Sequence, residues 1–252
     1  MSAWEIVAVL LAGMAAGGIN AVVGSGTLVT FPTLLAFGLP PVMATVTNTI
    51  GLAPGTISGA WGYRRELAGQ RGRLMRLGIA SAIGACTGVV LLLGLPDDAF
   101  HTIVPILVGV GVTLVAVQPF ISKWLAKRKS EPDPKGNWLT FLFVYLAGSY
   151  GGYFAAAQGI IVTAVLTISL HETLQRANAA KNVLVSVVNC VAAILFCFVA
   201  DVSWAHAGLI AVGSVIGGQL GASVGRRLPS WLLRTFIVCV GVVAIWQLLR
   251  TR

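Results

Sequence analysis

Four polar side chains occur at helical spacing within an apolar stretch in the second half of this sequence. They are Asn178, Lys181, Asn182 and Asn189. Spacings of three, four and seven residues place them on one stripe of a helix. No acidic residue on that helix can neutralise the lysine, and the amides beside it can donate hydrogen bonds. We predict that the stripe faces inward and binds an oxyanion; the alternative, a lysine whose stem reaches back to a polar surface, stays open.

Breaks rich in small residues interrupt two other apolar stretches. One helix is expected to start after Gly24-Ser25-Gly26 and another after Gln158-Gly159. Each would present N–H groups at the positive end of its dipole, where they can donate to an anion. Glycine also lets a backbone approach closely. The competing interpretation is that the glycines only permit tight helix packing. The residues that we predict to bind the anion are Asn20, Gly24, Ser25 and Gly26 at the first break and Gln158 and Gly159 at the second.

A polar cluster in the first half could serve the same ligand. It comprises Thr45, Thr47, Asn48 and Thr49. We include Thr47 and Asn48 among the predicted binding residues, because hydroxyl and amide groups both donate to oxyanions. The alternative, isolated hydrogen bonds between helices, is equally open.

The composition indicates the setting of these residues. The chain has 57% hydrophobic and 10% charged residues and a mean hydropathy of +0.89, whereas soluble domains have about 25% charged residues. Apolar runs of about 20 residues, the length that crosses a bilayer, recur from end to end. We therefore expect an all-α polytopic protein of the cytoplasmic membrane, surrounded by lipids.

Basic residues of three short loops give the predicted orientation. The net charge of +9 would indicate nucleic acid in a soluble protein, but anionic lipid head groups account for it here, and no nucleic-acid partner is predicted. By the positive-inside rule these loops are cytoplasmic, and the loops with Asp97, Asp98 and Asp201 are external. The bases are Arg64, Arg65, Arg71, Arg73, Arg76, Lys123, Lys127, Arg128, Lys129, Lys135, Arg226, Arg227 and Arg234.

Two similar halves of opposite orientation follow from this assignment. LAGMAAGGINAVVG at 11–24 resembles LAGSYGGYFAAAQG at 146–159. We predict an N-terminal repeat at 1–122, a cytoplasmic linker at 123–137 and an inverted C-terminal repeat at 138–252. Each repeat has a glycine-broken helical hairpin, either re-entrant or fully spanning, plus three transmembrane helices. The predicted spans are 43–62, 74–94, 101–121, 177–199, 204–225 and 231–249, and the predicted hairpins are 4–41 and 138–173.

Several motifs resemble the TauE/SafE family of sulfite and organosulfur anion exporters. The first hairpin contains Pro-x-Leu-Leu-x-x-Gly at 32–38 and is followed by Ala-Thr-x-Thr-Asn at 44–48. In the second half the resemblance continues through GGYFAAAQGIIV, ANAAKNVLVSVVNCVAAILF and GSVIGGQLGASVGRRLPSWLLR, so it covers essentially the whole chain. The sequence differs from many members in Gly-Ser-Gly at 24–26, where they have a longer glycine run, and in three alanines at 155–157.

The resemblance implies export of a small sulfur oxyanion, such as sulfite or sulfoacetate, and broken hairpins in inverted repeats favour transport by alternating access. The alternatives are an uptake transporter or channel-like facilitator for thiosulfate or another small anion, and an accessory membrane subunit. The histidines are dispersed and no motif has the ligand spacing of a metal site, so no enzyme activity, metal or cofactor is predicted. A homodimer is left open.

Acidic residues are absent from the middle of the predicted spans. Proton-coupled transporters usually relay protons through embedded Asp, Glu or His, so strong coupling here would require His171, Glu172 or Lys181. An inside-negative potential favours the exit of an anion by ~2.3 kcal/mol per charge per 100 mV. Export therefore needs no coupling ion.

Overall fold

The computed structural model describes residues 1–126, 138–170, 174–223, 235–243 and 245, and every regular element in that part of the chain is a helix. Residues 235–243 are helical, and the other helices are α1 (Ala3–Val22), α2 (Thr27–Ala36), α3 (Pro41–Gly62), α4 (Arg71–Gly94), α5 (Asp97–Ala126), α6 (Trp138–Tyr153), α7 (Gln158–Leu170), α8 (Leu174–Val199) and α9 (Trp204–Ser223).

Helix lengths and composition confirm an all-α polytopic membrane protein. Among the described residues, five segments are long and apolar enough to cross a bilayer: Ala3–Val22, Arg71–Gly94, Thr102–Ile121, Gln175–Val199 and Trp204–Ser223. The 22-residue α3 matches the predicted span 43–62 but is not among the five.

Two predicted segments fall partly outside the described residues. α5 continues to Ala126, into the predicted linker 123–137. The rest of that linker and most of the predicted span 231–249 lie outside the described residues.

Close contacts show that α1, α3 and α9 run parallel. At matched heights along the helices, a Cβ on the glycines of α1 or α3 would meet the backbone or side chain of α9, so glycine is what permits this approach. The facing pairs are Gly13 with Ile210 and Gly17 with Ser214 for α1, and Gly51 with Ile210 and Gly55 with Ser214 for α3.

The α4 and α6 pair repeats the contacts of the α9 and α1 pair. A Cβ on Gly84 or Gly88 of α4 would collide with the carbonyl oxygens of Tyr145 and Ser149 of α6, and a Cβ on Gly213 or Gly217 of α9 would collide with those of Leu10 and Met14 of α1. Tyr145 follows Leu10 by 135 positions, and Ser149 follows Met14 by the same 135. The two helix pairs therefore have the same register.

These two pairs point in opposite directions. The end of α4 at Leu92 and the end of α8 at Val199 line one cavity of about 340 Å³ together with Pro40, where α3 begins. At the other end Arg176, near the start of α8, donates to the carbonyl of Ala68, which follows α3. We call the end at which α1, α3 and α9 begin the upper end, and the opposite one the lower end.

Each broken hairpin returns to the end from which it enters. α1 starts at the upper end with a capping box, in which Ser2 and Glu5 exchange hydrogen bonds between side chain and backbone. α2 leads back to the start of α3 at the upper end. α6 runs parallel to α4 and so enters from the lower end, and α7 leads back to the start of α8 there. The two hairpin tips point towards each other inside the protein.

The two breaks differ in detail. The first ends α1 with Gly24 at φ +87°, in the left-handed region that glycine adopts freely, and its N–H donates to the carbonyl of Ile19 at 2.9 Å. The second has Ala155 at φ +61° and Ala157 at φ +59°, which costs about 1–2 kcal/mol per residue. α7 begins at Gln158, so the expectation that this helix starts after Gly159 is wrong: the alanines, not the glycine, make the turn.

Candidate functional site

The hairpin tips touch at Gly24 and Gly159. The N–H of Gly159 donates to the carbonyl of Gly24 at 3.0 Å, and a Cβ on either glycine would lie 2.5 Å from the Cα of the other. Real Cβ contacts are never so short, so both positions require glycine. These residues are themselves 135 positions apart, the offset that relates α1 to α6.

Lys181 caps the C-terminal end of α1 by hydrogen bonds to its last carbonyl groups. Its Nζ donates to the carbonyl of Asn20 at 2.8 Å and to that of Ala21 at 3.4 Å. Asn178 and Asn182 also donate to the carbonyl of Ala21, at 3.2 and 3.1 Å. The last carbonyls of a helix have no partner within it and carry the negative end of its dipole. The predicted stripe therefore faces inward and stabilises the buried end of a broken helix.

The lysine is fully enclosed. It has 0% exposure, and a Cβ on Gly159 would lie 3.0 Å from its Cδ, so the side chain runs past the tip contact. The alternative of a lysine that reaches a polar surface is thus wrong. Among the described residues no carboxylate pairs with it. An ammonium has three N–H donors, and the carbonyls take two, which leaves one donor for a ligand.

The side chains of Ser25 and Gln158 are buried beside the tip contact and have no hydrogen-bond partner within the described part of the chain. Ser25 is 0% exposed and Gln158 is 1% exposed. The hydroxyl of Ser25 and both polar atoms of the Gln158 amide have no partner among the described residues. The Gln158 side chain lies against Gly151 of α6. Each unsatisfied buried polar group costs about 1–3 kcal/mol, and such groups are rare unless a ligand or water serves them.

Backbone N–H groups at the breaks, which we predicted to donate to an anion, already donate to acceptors within the protein. The N–H of Gly26 donates to Oδ1 of Asn20 at 2.7 Å, and a Cβ on Gly26 would collide with the carbonyl oxygen of Ala16. At the start of α7, the N–H groups of Gln158 and Gly159 donate to Ala155 and Gly24. The donors at this site are therefore mainly side chains.

Of the remaining predicted residues, Asn48 lies beside the first tip, because its partner Thr27 is the first residue of α2. Asn48 is buried and joins α3 to α2: its Oδ1 accepts from the hydroxyl of Thr30 and its Nδ2 donates to Oγ1 of Thr27 at 3.4 Å. Thr47 is buried nearer the upper end and accepts from the N–H of Ser203 at 3.1 Å. Asn189 is buried two helical turns beyond Asn182, roughly 10 Å along α8.

Sequence reasoning missed two groups of polar residues. The hydroxyl of Tyr150 donates to the carbonyl of Ala156 at 2.6 Å and supports the strained alanine turn, and the buried hydroxyl of Ser186, one turn beyond Asn182, has no partner in the described structure. Glu5 and His206 meet at the upper end although 201 residues separate them, so no local pattern could have paired them. No cluster of three His, Cys, Asp or Glu suited to a metal occurs in the described residues, while His171 and Glu172 lie outside them.

Known proteins are similar to this chain over nearly its whole length. The family model "Sulfite exporter TauE/SafE" matches residues 9–248. "Probable membrane transporter protein YfcA" of Escherichia coli (strain K12) is 26% identical over 242 residues, which cover 94% of this chain and 86% of the relative. "Probable membrane transporter protein" of Haemophilus influenzae is 25% identical over 240 residues, 93% of this chain and 91% of the relative. No solved structure matches the chain significantly.

Proposed function

The chain belongs to the TauE/SafE family and is a membrane transporter, and from this premise we propose that it exports a small sulfur-containing oxyanion across the cytoplasmic membrane. Sulfite, sulfoacetate or a similar organosulfonate is the proposed substrate, in keeping with the name of the matching family model. The observation that carries the proposal is a pair of buried side chains, Ser25 and Gln158, that have no partner among the described residues and lie near the enclosed Lys181.

The donor set suits an oxyanion. Lys181 offers one N–H with a positive charge, Gln158 offers two amide N–H groups, and Ser25 offers a hydroxyl. Charge-assisted hydrogen bonds are about twice as strong as neutral ones, so the lysine supplies the main attraction. The amide oxygen of Gln158 can accept from a water or from a protonated oxygen of the substrate. A bound anion would thus satisfy the side-chain groups that find no partner in the described structure.

Two inverted repeats, 1–122 and 138–252, provide the proposed machinery. The shared register of the two glycine-lined helix pairs, their opposite directions and the contact of matched glycines at the tips support this interpretation. Alternating access would follow from rocking of one half against the other around the tip contact. The inside-negative potential favours exit of the anion by ~2.3 kcal/mol per charge per 100 mV, so export proceeds without a coupling ion.

Flux into and out of proteoliposomes tests the proposal. Purified protein should exchange labelled sulfite or sulfoacetate across the bilayer, and excess unlabelled substrate should compete. Acetate and chloride serve as anions without a sulfur oxyanion group and should compete poorly. Flux of thiosulfate alone would favour the alternative substrate class, and saturation would separate a transporter from a channel-like facilitator. Absence of flux for every anion would reject the proposal and favour an accessory subunit.

A further inference from the structure

A buried hydroxyl near the middle of α8 has no hydrogen-bond partner in the part of the chain that the structure describes. Ser186 is 8% exposed, and its Oγ is a buried atom without a partner there. Hydroxyls in helices commonly donate to the carbonyl four residues earlier, as Thr49 does in α3 at 2.9 Å and Thr163 in α7 at 2.7 Å. Ser186 makes no such bond within the described residues, so its hydroxyl is available to a bound molecule.

Ser186 belongs to the same face of α8 as Asn182 and Asn189. At about 100° per residue, the three side chains fall within about 60° of one another around the helix. Ser186 lies about 6 Å beyond Asn182 along the axis, and Asn189, which is 3% exposed, lies about 10 Å beyond it. Asn182 and Nζ of Lys181 donate to the same carbonyl, that of Ala21. The ammonium therefore lies at the beginning of this polar face, and Ser186 and Asn189 continue the face towards the upper end.

The polar face has one positive charge. Lys181 is the one lysine or arginine that is buried in the described part of the chain. Arg176, the other cation of α8, is half-buried about 140° away around the helix and donates to the carbonyl of Ala68 at 3.2 Å. α3, α6 and α7, which pack against α8, contain no charged side chain, and those of α4 are confined to its start at the lower end. The site therefore compensates a single negative charge.

The chemistry of this face selects what can extend along it. A second negative charge on the ligand would stay unpaired, and burial of an unpaired charge is costly. The hydroxyl of Ser186 and the amide of Asn189 are uncharged, and each can donate and accept a hydrogen bond. The matching group on a ligand is another hydroxyl or amide, which also donates and accepts, whereas a carboxylate only accepts and brings a second charge.

We propose that Ser186 and Asn189 form a subsite for the uncharged polar end of the substrate, whose sulfonate end lies at Lys181. This inference deepens the proposed function and rests on it: the transported anion is a singly charged sulfonate with a hydroxyl or similar group at its other end. A two-carbon chain between the two groups, together with the hydrogen bonds at each end, reaches from the ammonium to Ser186, one helical turn beyond Asn182.

Three sulfonates with similar carbon chains test the subsite. Ethanesulfonate has one charge and no hydroxyl, 2-hydroxyethanesulfonate has the same charge and a hydroxyl, and sulfoacetate has a second charge. Calorimetry on the purified protein at neutral pH and fixed salt should give 2-hydroxyethanesulfonate the highest affinity. Ethanesulfonate should bind about three- to tenfold more weakly, because it lacks the hydrogen bonds to the subsite, and sulfoacetate at least about tenfold more weakly. Equal affinity for the first two would overturn the subsite, and equally tight binding of sulfoacetate would overturn the single charge.

Variants of α8 assign the preference to its residues. Ser186→Ala and Asn189→Leu should each reduce the preference for the hydroxyl, while the affinity for ethanesulfonate stays as in the wild type. Ser186→Ala breaks no hydrogen bond of the described structure, so its melting temperature should not fall. Ser149→Ala is the matched control: its hydroxyl donates to the carbonyl of Tyr145 at 3.1 Å, and this variant should keep the full preference. An undiminished preference in both α8 variants would show that the hydroxyl binds elsewhere.

Binding and flux together separate this inference from the proposed function. If the sulfonates bind with the expected preference but do not cross proteoliposome membranes, the transport proposal is wrong and the subsite stands. Flux of sulfonates without the preference would have the opposite meaning. If none of the three sulfonates binds, the subsite is wrong, and flux of sulfite still decides whether the protein transports a sulfur oxyanion.

Discussion

Lys181 combines a structural and a chemical task in one ammonium group. Two of its donors serve the carbonyls of Asn20 and Ala21 at the buried end of α1, and the third remains for a ligand. The helix end holds the lysine in place before any ligand arrives, so little ordering has to accompany binding. Ser25 and Gln158 differ from it, because the described structure gives the polar atoms of their side chains no partner.

Replacing the unpaired groups should leave the fold intact or strengthen it. Ser25→Ala and Gln158→Leu remove buried polar atoms whose desolvation costs about 1–3 kcal/mol, so the melting temperature should stay constant or rise while oxyanion affinity falls. Ser58→Ala is the matched control: its buried hydroxyl donates to the carbonyl of Val215 at 2.9 Å, so stability should fall by about 1 kcal/mol with affinity unchanged. Thermal unfolding with and without ligand measures both. Lower stability with normal affinity for Ser25→Ala would mean that its hydroxyl has a structural partner.

Helical periodicity was enough to predict that Asn178, Lys181 and Asn182 share an inward face. It could not predict that they bind the end of α1, because that contact joins residues about 160 positions apart. For the same reason Thr47, grouped with Asn48 by its place in the sequence, proves to contact Ser203 instead. Polar residues in an apolar run indicate burial, but their partners depend on how the helices pack.

Glycine has two distinct uses among the helices. In α1, α4 and α9 it lets helix backbones pack side by side, as the packing interpretation expects. At Gly24 and Gly159 it lets two hairpin tips touch. The sequence predicted the hairpins and the first break, since Gly24 both ends α1 and permits the turn. It misplaced the second break, because alanine seldom adopts positive φ and three alanines ordinarily continue a helix.

Alanine substitutions should separate the two uses. Gly159→Ala puts a methyl group against Gly24 and should abolish flux while the protein still inserts and unfolds cooperatively. Gly217→Ala puts one against the backbone of Met14 along the α1 and α9 contact and should impair folding. Gly78, with open space around its Cα, is the control: Gly78→Ala should preserve flux and stabilise the helix by about 0.5–1 kcal/mol. Membrane yield, melting temperature and flux distinguish the three. Normal flux in Gly159→Ala would remove the tip contact from the mechanism.

The molecule has two sets of helices that run in opposite directions, one with α1, α3 and α9 and the other with α4 and α6. One broken hairpin enters from each end. Basic residues concentrate beyond the lower end, in the segment after α3 and at the start of α4, whereas the upper end has Glu5 and Asp201. By the positive-inside rule we propose that the lower end faces the cytoplasm. The upper end, with the cavity of about 340 Å³ beside Asp201, would face outwards.

Labelling of single cysteines tests this orientation. Gly94 at the upper end and Gly72 at the lower end are both exposed with open space around their Cα atoms, so both tolerate a cysteine. In a background without the four native cysteines, an impermeant reagent should label Gly94→Cys in intact cells and Gly72→Cys only after permeabilisation. The reverse pattern would place the lower end outside. Labelling of both in intact cells would contradict a span of α4 across the membrane, since both residues belong to that helix.

Oxyanion affinity of Lys181→Met, measured by calorimetry at fixed salt, tests most directly whether the anion binds between the tips. Methionine keeps the apolar stem and removes the charge; a charge-assisted hydrogen bond is worth about 1.5–3 kcal/mol, so sulfite or sulfoacetate should bind roughly ten- to hundred-fold more weakly. Arg176→Met, which removes a half-buried cation near the start of the same helix, should bind as the wild type does. Unchanged affinity in a folded Lys181→Met protein would contradict the account.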